Sequence, residues 1–310
     1  MRTRRDIIVA VLSVLAIVLT AGAVSESNRE AMFRQRCAAN LSSLGKTMQV
    51  YANDYLDEFP KSGMRRNEWV PTLPNWAGRN RQEAYRFRRG DSDYVCDVTA
   101  TSSLYLLVKY SEAKVDQFVC PAEPGTTPLD LRRVPEELPE RFELIFAWDF
   151  GGRYSVEDNP STHCSYAYHM PFGRYALITA NDLGMAVMAD RSPWMDPNRL
   201  ADPNVGWARF DPSAADTEAA RLGNSDAHGS DGQNVLFFDG HVRFHKRPTC
   251  GVDGDNIYTI ASDETETGRA KGCRPRVYDP TDPLNHRDSM LVQEVAQDIP
   301  VSAAETASEN

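Results

Sequence analysis

The hydrophobic pattern of the chain divides it at once into a short apolar start and a mixed remainder. Residues 7–24 contain no charged side chain, and Arg2, Arg4 and Arg5 precede them. As a helix those residues would extend roughly 27 Å, which approaches the thickness of a bilayer core. Positive charge before the run predicts a cytoplasmic N-terminus and an exported body, hence a single-pass inner-membrane protein with its body in the periplasm. The motif Ala21-Gly22-Ala23 leaves a second interpretation open, a signal peptide that is cleaved at this point.

The next segment has the spacing of a helix with one apolar face. Its apolar positions step by three or four residues: Phe33, Cys37, Leu41, Leu44, Met48, Tyr51 and Tyr55. Pro60 and Gly63 follow and should end the helix. We therefore expect one long helix over residues 7–57, with the first half in the membrane and the second half on a globular body.

The rest of the chain alternates short apolar runs with turn residues, which predicts short strands and many loops. Residues 235–238 and 242–244 flank Asp239-Gly240, a strong hairpin turn signal. The expected fold class is α+β: a pilin-like long N-terminal helix, membrane-spanning in its first half, packed on an antiparallel β-sheet with loop-rich decorations. The expected divisions are residues 1–24 (transmembrane or signal anchor), 25–58 (extramembrane helix), 59–250 (periplasmic body) and 251–310 (polar acidic tail, partly disordered).

Composition adds few constraints on function. Hydrophobic residues make up 41% of the 310 positions, which is enough for a folded core. The net charge of -10 disfavours general attraction to nucleic acid, so no nucleic-acid partner is expected.

Six cysteines in an exported chain permit disulfides. Sequence cannot choose among the 15 possible pairings. Proximity along the chain favours Cys96 with Cys120 and Cys250 with Cys273.

Several short motifs resemble bacterial prepilin-like proteins, the pseudopilins of type II secretion, with the C-terminal H-x9-DG domain. The blocks are C-A-A-N-L-S-S-L-G-K at 37–46, Y-A-N-D at 51–54, F-P at 59–60, F-V-C-P at 118–121, S-Y-A-Y at 165–168, A-D-R-S-P at 189–193, and the signature segment at 224–244. The residues that carry them are Cys37, Asn40, Leu41, Gly45, Asn53, Asp54, Cys120, Pro121, Asp190, His228, Asn234, Asp239, Gly240 and His241.

The resemblance implies a membrane-tethered structural protein of the major-pseudopilin type, which self-associates or joins other pseudopilins. Two departures from the family pattern stand out. Ten residues, not nine, separate His228 from Asp239. The N-terminus also lacks the Gly of the prepilin peptidase signal and the Glu that normally pairs subunits in a fibre.

The segment 226–245 is the candidate site for chemistry. Its oxygen-rich residues suit calcium, which major pseudopilins bind in a C-terminal loop. The candidate ligands are Asp226, His228 and Asp239, and a zinc ion would instead use His228, Asp239 and His241 or His245. Hydrogen bonding and turn formation are the structural alternative. No G-x-S-x-G or phosphate-binding glycine loop occurs, so no catalysis is expected.

Three functions remain open from the sequence. The first is a pseudopilin-like assembly protein, and the second is an anchored or secreted module that binds carbohydrate or a protein partner. The third is a metal-dependent enzyme at the 226–245 cluster.

Overall fold

The long N-terminal helix is the dominant element of the structure, a computed structural model. The structure describes residues 4–90, 93–134, 138, 141–152, 159–195, 203–214, 217–279 and 281–295; the side chains of residues 4–25 and 203–205 are not described. Helix α1 runs unbroken over Arg4–Asp54, about 76 Å at 1.5 Å per residue. It ends in a turn where Leu56 and Asp57 adopt positive φ, just before Pro60. The expected single long helix is thus present.

The other α-helices of the described residues are short. They are α2 (Arg81–Ala84), α3 (Ala100–Tyr110), α4 (Pro203–Arg209), α5 (Glu218–Arg221) and α6 (Glu266–Ala270). Helix α3 begins with a capping box between Thr99 and Ser102, which satisfies the first backbone N–H groups of the helix.

Two sheets make up the β structure of the described part of the chain. A three-stranded sheet has the order β1 (Asn67–Trp69), β3 (Tyr94–Val98), β2 (Arg88–Arg89), with β1 parallel to β3. The five-stranded antiparallel sheet has the order β7-β6-β5-β4-β8. Its strands are β4 (Tyr166–His169), β5 (Ala186–Asp190), β6 (Gln233–Phe237), β7 (Val242–His245) and β8 (Leu291–Val292). The predicted hairpin is confirmed as β6 and β7, and Gly240 takes the positive φ of +86° that its turn requires.

The large sheet is buried on both faces. On one face Tyr166, Met188 and Leu236 pack in the main core with α1 and α3. On the other face Val235 and Phe237 join a second cluster with Trp194, Phe210 and Tyr258. Helix α1 approaches the sheet closely at Gly45, where a Cβ atom would lie 2.7 Å from the Leu236 side chain.

The expected architecture needs correction in its membrane and pilin-like features. No helix within the described part of the chain is long and apolar enough to cross a bilayer. The structure therefore does not support the predicted membrane-spanning first half of the long helix or the predicted single-pass inner-membrane location. The fold is α+β with two sheets, one of which contains a parallel pair, and it is not clearly pilin-like.

The C-terminal region also differs from its prediction. Residues 251–310 were expected to form a polar tail, but the described part, up to residue 295, belongs to the body. The short apolar run 290–292 is fully buried, and β8 adds an edge strand beside β4. A two-residue strand among polar neighbours is too short to give a periodic signal. Residues 296–310 lie outside the described part.

Candidate functional site

The inner face of α1 determines where the candidate site lies. Cys37, Leu41, Leu44 and Met48 step along one face of the helix, and none of these four side chains is exposed to solvent. This face lies on β5, β6 and β7 of the large sheet. The apolar spacing read from the sequence therefore predicts the buried face from Cys37 to Tyr51, whereas Phe33 is half-buried and Tyr55 is exposed.

A disulfide attaches this helix face to the body. Cys37 is bonded to Cys120, 83 positions later, with the two Cα atoms 5.2 Å apart. One turn further along α1, the Asn40 amide donates to the Val119 carbonyl at 3.0 Å and to the Tyr166 hydroxyl at 3.4 Å. The covalent bond and the amide contacts together hold the segment around residue 120 against α1.

His228 lies directly beside the disulfide. It ends the short 3-10 helix Asp226–His228, whose first turn is capped by the Ser225 side chain. Gln233 holds this loop on β6 by accepting from the Ser225 backbone N–H, and Asn224 donates to the carbonyls of Ser230 and Lys246. The loop is thereby fixed over the sheet with His228 pointing inward, 1% exposed.

The His228 ring meets polar groups from two adjacent strands. Its Nε2 lies 3.3 Å from Asp190 Oδ2 at the end of β5, and 3.3 Å from the Asn234 amide nitrogen on β6. It also lies 3.8 Å from Cys120 Sγ. The Asn234 backbone N–H donates to Asp190 Oδ2 at 2.7 Å. We call Cys37, Cys120, Asp190, His228 and Asn234 the buried cluster.

The buried cluster is sealed from solvent and incompletely hydrogen-bonded. Each of its five residues is at most 1% exposed. Within the described part of the chain, neither Asp190 Oδ1 nor His228 Nδ1 has a hydrogen-bond partner. One possible ligand atom from each of Cys37, Cys120, Asp190 and His228 falls within 4.8 Å of the other three. The cluster can therefore act as a structural clamp, and its atoms are of the types that bind metals.

The structure brings together about half of the motif residues expected from the sequence. Cys37, Asn40, Cys120, Asp190, His228 and Asn234 converge around the buried cluster, and Leu41 and Gly45 lie on the same helix face. The others lie elsewhere: Asn53 and Asp54 are exposed near the end of α1, Pro121 is exposed, and Asp239, Gly240 and His241 form the hairpin turn.

The three candidate calcium ligands do not form one site. His228 belongs to the buried cluster, while Asp226 is exposed and accepts from the Ser230 hydroxyl at 2.6 Å. Asp239 is exposed and accepts a hydrogen bond from the His241 backbone N–H. It lies five residues after Asn234, a separation of roughly 16 Å at the rise of a strand. The three residues are close in the sequence, but strand β6 carries Asp239 away from His228, so the structure does not bring them together.

The predicted disulfide pairs are also corrected. Cys120 is bonded to Cys37, not to Cys96, and Cys250 and Cys273 are both free thiols. Cys96 lies on β3, where its thiol contacts Asn67. Proximity along the chain was the wrong criterion. A better one was available, since Cys37 and Cys120 are the two cysteines that lie inside the motif blocks.

Sequence reasoning missed a second buried polar site at the start of α3. The Glu294 carboxylate accepts from the backbone N–H groups of Ala100 and Thr101 and from the Trp69 indole. Asp149 accepts from the Thr99 hydroxyl. Helix N-termini favour negative charge, but burial, together with repulsion from Glu294, raises the pKa of Asp149 to about 8. Burial likewise raises the pKa of Glu294.

No family model, no curated protein and no solved structure matches this chain. The resemblance to prepilin-like proteins therefore rests on the motif residues alone.

Removal of the Asp190 carboxylate tests whether the buried cluster stabilises the fold. We expect Asp190→Ala to lower the free energy of unfolding by roughly 2 to 5 kcal/mol, because buried donors of Asn234 lose their acceptor. Urea unfolding followed by circular dichroism measures this change.

A nearby surface carboxylate provides the control for that substitution. Asp231 pairs with Arg34 and Arg221 at the surface, so Asp231→Ala should cost at most about 1 kcal/mol. Equal costs for the two variants would contradict a stabilising role of the buried cluster.

The Asp149 carboxyl generates a pH dependence with a definite sign. Between its ordinary pKa of 3.8 and about 8, the folded chain holds a proton that the unfolded chain releases. Stability therefore falls as pH rises through this window. Between pH 5 and pH 8.5, the free energy of unfolding of the wild type should fall by at least about 1 kcal/mol more than that of Asp149→Asn. A difference of one pH unit between the folded and unfolded pKa corresponds to about 1.4 kcal/mol.

Urea unfolding at a series of pH values measures this difference. The control is Asp130→Asn, because Asp130 pairs with Arg132 at the surface and its pKa is lowered to about 2 by hydrogen bonds from Arg132. That variant should leave the slope above pH 5 unchanged. Parallel slopes for Asp149→Asn and the wild type would show that Asp149 is ionised in the folded chain.

Proposed function

We propose that this chain is a non-catalytic assembly protein. Helix α1 associates with helices of other subunits, and the C-terminal half of α1 holds the body. The observation that carries the proposal is the length of α1 beyond the body. Arg34 is the first residue of α1, among those with described side chains, that forms a hydrogen bond or ion pair with the body. From Arg34 back to Arg4 the helix extends about 45 Å further.

The residue types in this extension support association with other helices. Residues 7–24 contain no charged side chain. A helical segment without charged side chains is stabilised when it packs against other apolar helices, and helices of other subunits would provide that contact. The pairing Glu of fibre-forming pseudopilins is missing, so this association depends on apolar contacts and not on a subunit-to-subunit ion pair.

The attachment of α1 to the body supports the same proposal. At the point where the helix leaves the body, Arg34 pairs with Asp231 at 2.9 Å and its guanidinium lies 4.5 Å from the centre of the Phe244 ring. One turn further along lies the disulfide of Cys37. A helix that is held by a covalent bond and a charge pair can transmit the position of its partners to the body.

The other two functions gain less support. A carbohydrate-binding surface usually exposes aromatic side chains. Four tryptophans are instead at most 7% exposed and pack in the interior: Trp69, Trp76, Trp148 and Trp194. The candidate residues of the 226–245 segment are separated: His228 lies in the sealed cluster, Asp226 on the exposed loop before β6, and Asp239 in the exposed hairpin turn.

Disulfide crosslinking along α1 tests the proposal. Single cysteines at consecutive positions 11–17, in a full-length Cys273→Ser background that removes the exposed thiol, should give dimers and larger species on mild oxidation. The yield should peak every three or four positions, because one helix face meets the partner.

The control for crosslinking is Glu218→Cys, on the exposed start of α5, which should remain monomeric. Crosslinked species of a second protein would also support association through α1. Monomers at all seven positions, together with a monomeric mass in sedimentation, would contradict the assembly function.

A further inference from the structure

We propose that the buried cluster has a second state, in which the reduced thiols of Cys37 and Cys120 bind Zn²⁺ together with His228 and Asp190. The disulfide and the zinc ion would then be alternative occupants of one position between α1 and the large sheet. This inference does not depend on the assembly function.

The ligand set is that of a zinc site. Two thiolates, one imidazole and one carboxylate supply four donors, and zinc prefers four-coordinate sites built from such groups. The four ligand atoms already lie within 4.8 Å of one another. Zinc–ligand bonds of about 2.0 to 2.3 Å place the ligands of one ion roughly 3 to 4 Å apart. Small side-chain movements therefore suffice once the sulfur–sulfur bond is broken.

The hydrogen bonding of the buried cluster gives a second, independent indication. Asp190 is fully buried, yet its Oδ1 atom has no partner in the described part of the chain. An unpartnered carboxylate oxygen in the interior is costly, and a bound cation would satisfy it. The Nε2 atom of His228 lies 3.3 Å from the other oxygen of this carboxylate, Asp190 Oδ2, and 3.8 Å from Cys120 Sγ.

Surrounding residues hold these ligands in place. The Asn234 backbone N–H donates to Asp190 Oδ2, and its side-chain amide lies 3.3 Å from both Asp190 Oδ2 and His228 Nε2. Asn40 binds the carbonyl of Val119, the residue before Cys120. Hydrogen bonds of this kind orient metal ligands, and here they already exist in the disulfide-bonded state.

The exchange between the two states balances as a thiol–disulfide reaction followed by metal binding. A dithiol reductant donates two electrons, the sulfur–sulfur bond breaks, and two thiols form as the reductant becomes a disulfide. Zn²⁺ then forms two zinc–sulfur bonds and releases two protons. A disulfide oxidant takes up the two electrons, the bond between Cys37 and Cys120 forms again, and the zinc ion is released.

Zinc content of the full-length protein in both redox states tests the proposal. The chain is reduced, separated from the reductant without oxygen, incubated with ZnCl₂ and desalted. The reduced protein should retain about one zinc per chain, at least tenfold more than the oxidised protein. With CoCl₂ the reduced protein should show the near-ultraviolet absorption of cobalt–thiolate bonds.

Matched cysteine variants separate the cluster from the other thiols. Cys96→Ser removes a buried thiol outside the cluster and should leave the zinc content unchanged. Cys37→Ser with Cys120→Ser should abolish zinc binding. The proposal is overturned if the reduced wild type holds no more zinc than this double variant.

Thiol alkylation of the wild type covers the case in which the double variant does not fold. Zinc should protect Cys37 and Cys120 of the reduced protein from iodoacetamide by at least tenfold, while the exposed Cys273 reacts at its usual rate. If the reduced chain unfolds, zinc should restore its circular dichroism, as it does in proteins whose folding requires metal. Equal alkylation with and without zinc, or no recovery of the fold, would rule the site out.

Discussion

The attachment of one helix to one sheet organises this molecule. Helix α1 presents a regular apolar face, but apolar packing alone leaves the helix able to shift along its axis by one turn. The Cys37–Cys120 bond and the Asn40 contact with Val119 define a single position. A bond that closes a loop of this length also restricts the unfolded chain, which stabilises the fold by roughly 2 to 5 kcal/mol.

The polar groups beside that bond explain how strand β5 and the loop before β6 are held together there. Asp190 ends β5, Asn234 lies on β6 and His228 belongs to the loop before β6. Their mutual hydrogen bonds favour one arrangement of that loop over the sheet. Buried polar groups are costly when incompletely paired, so a sealed cluster with an open carboxylate oxygen is an unusual feature of the core. Both proposed roles, the structural clamp and the zinc site, follow from the same local chemistry.

Sequence reasoning succeeded where a pattern is local and long. The three-and-four spacing from Cys37 to Met48 predicts the buried face of α1, and Asp239-Gly240 predicts the β6–β7 hairpin. It failed where partners are distant in the chain, because spacing holds no information about which cysteine meets which. The pairing of Cys37 with Cys120 depends on how α1 lies on the sheet. The contact of His228 with Asp190 depends on strand order, so the spacing of residues within one segment indicates neither partner. For the disulfide, the motif blocks were the available sequence signal.

Disulfide mapping tests the central claim, that α1 is locked to the body through the buried cluster. The full-length protein, prepared under oxidising conditions with a chelator present, would be alkylated, digested without reduction and analysed by mass spectrometry. The account predicts a linked pair of peptides that contain Cys37 and Cys120, with Cys96 and Cys164 alkylated once the chain is denatured. Cys120 linked to Cys96, or Cys37 recovered mainly as an alkylated thiol, would contradict it.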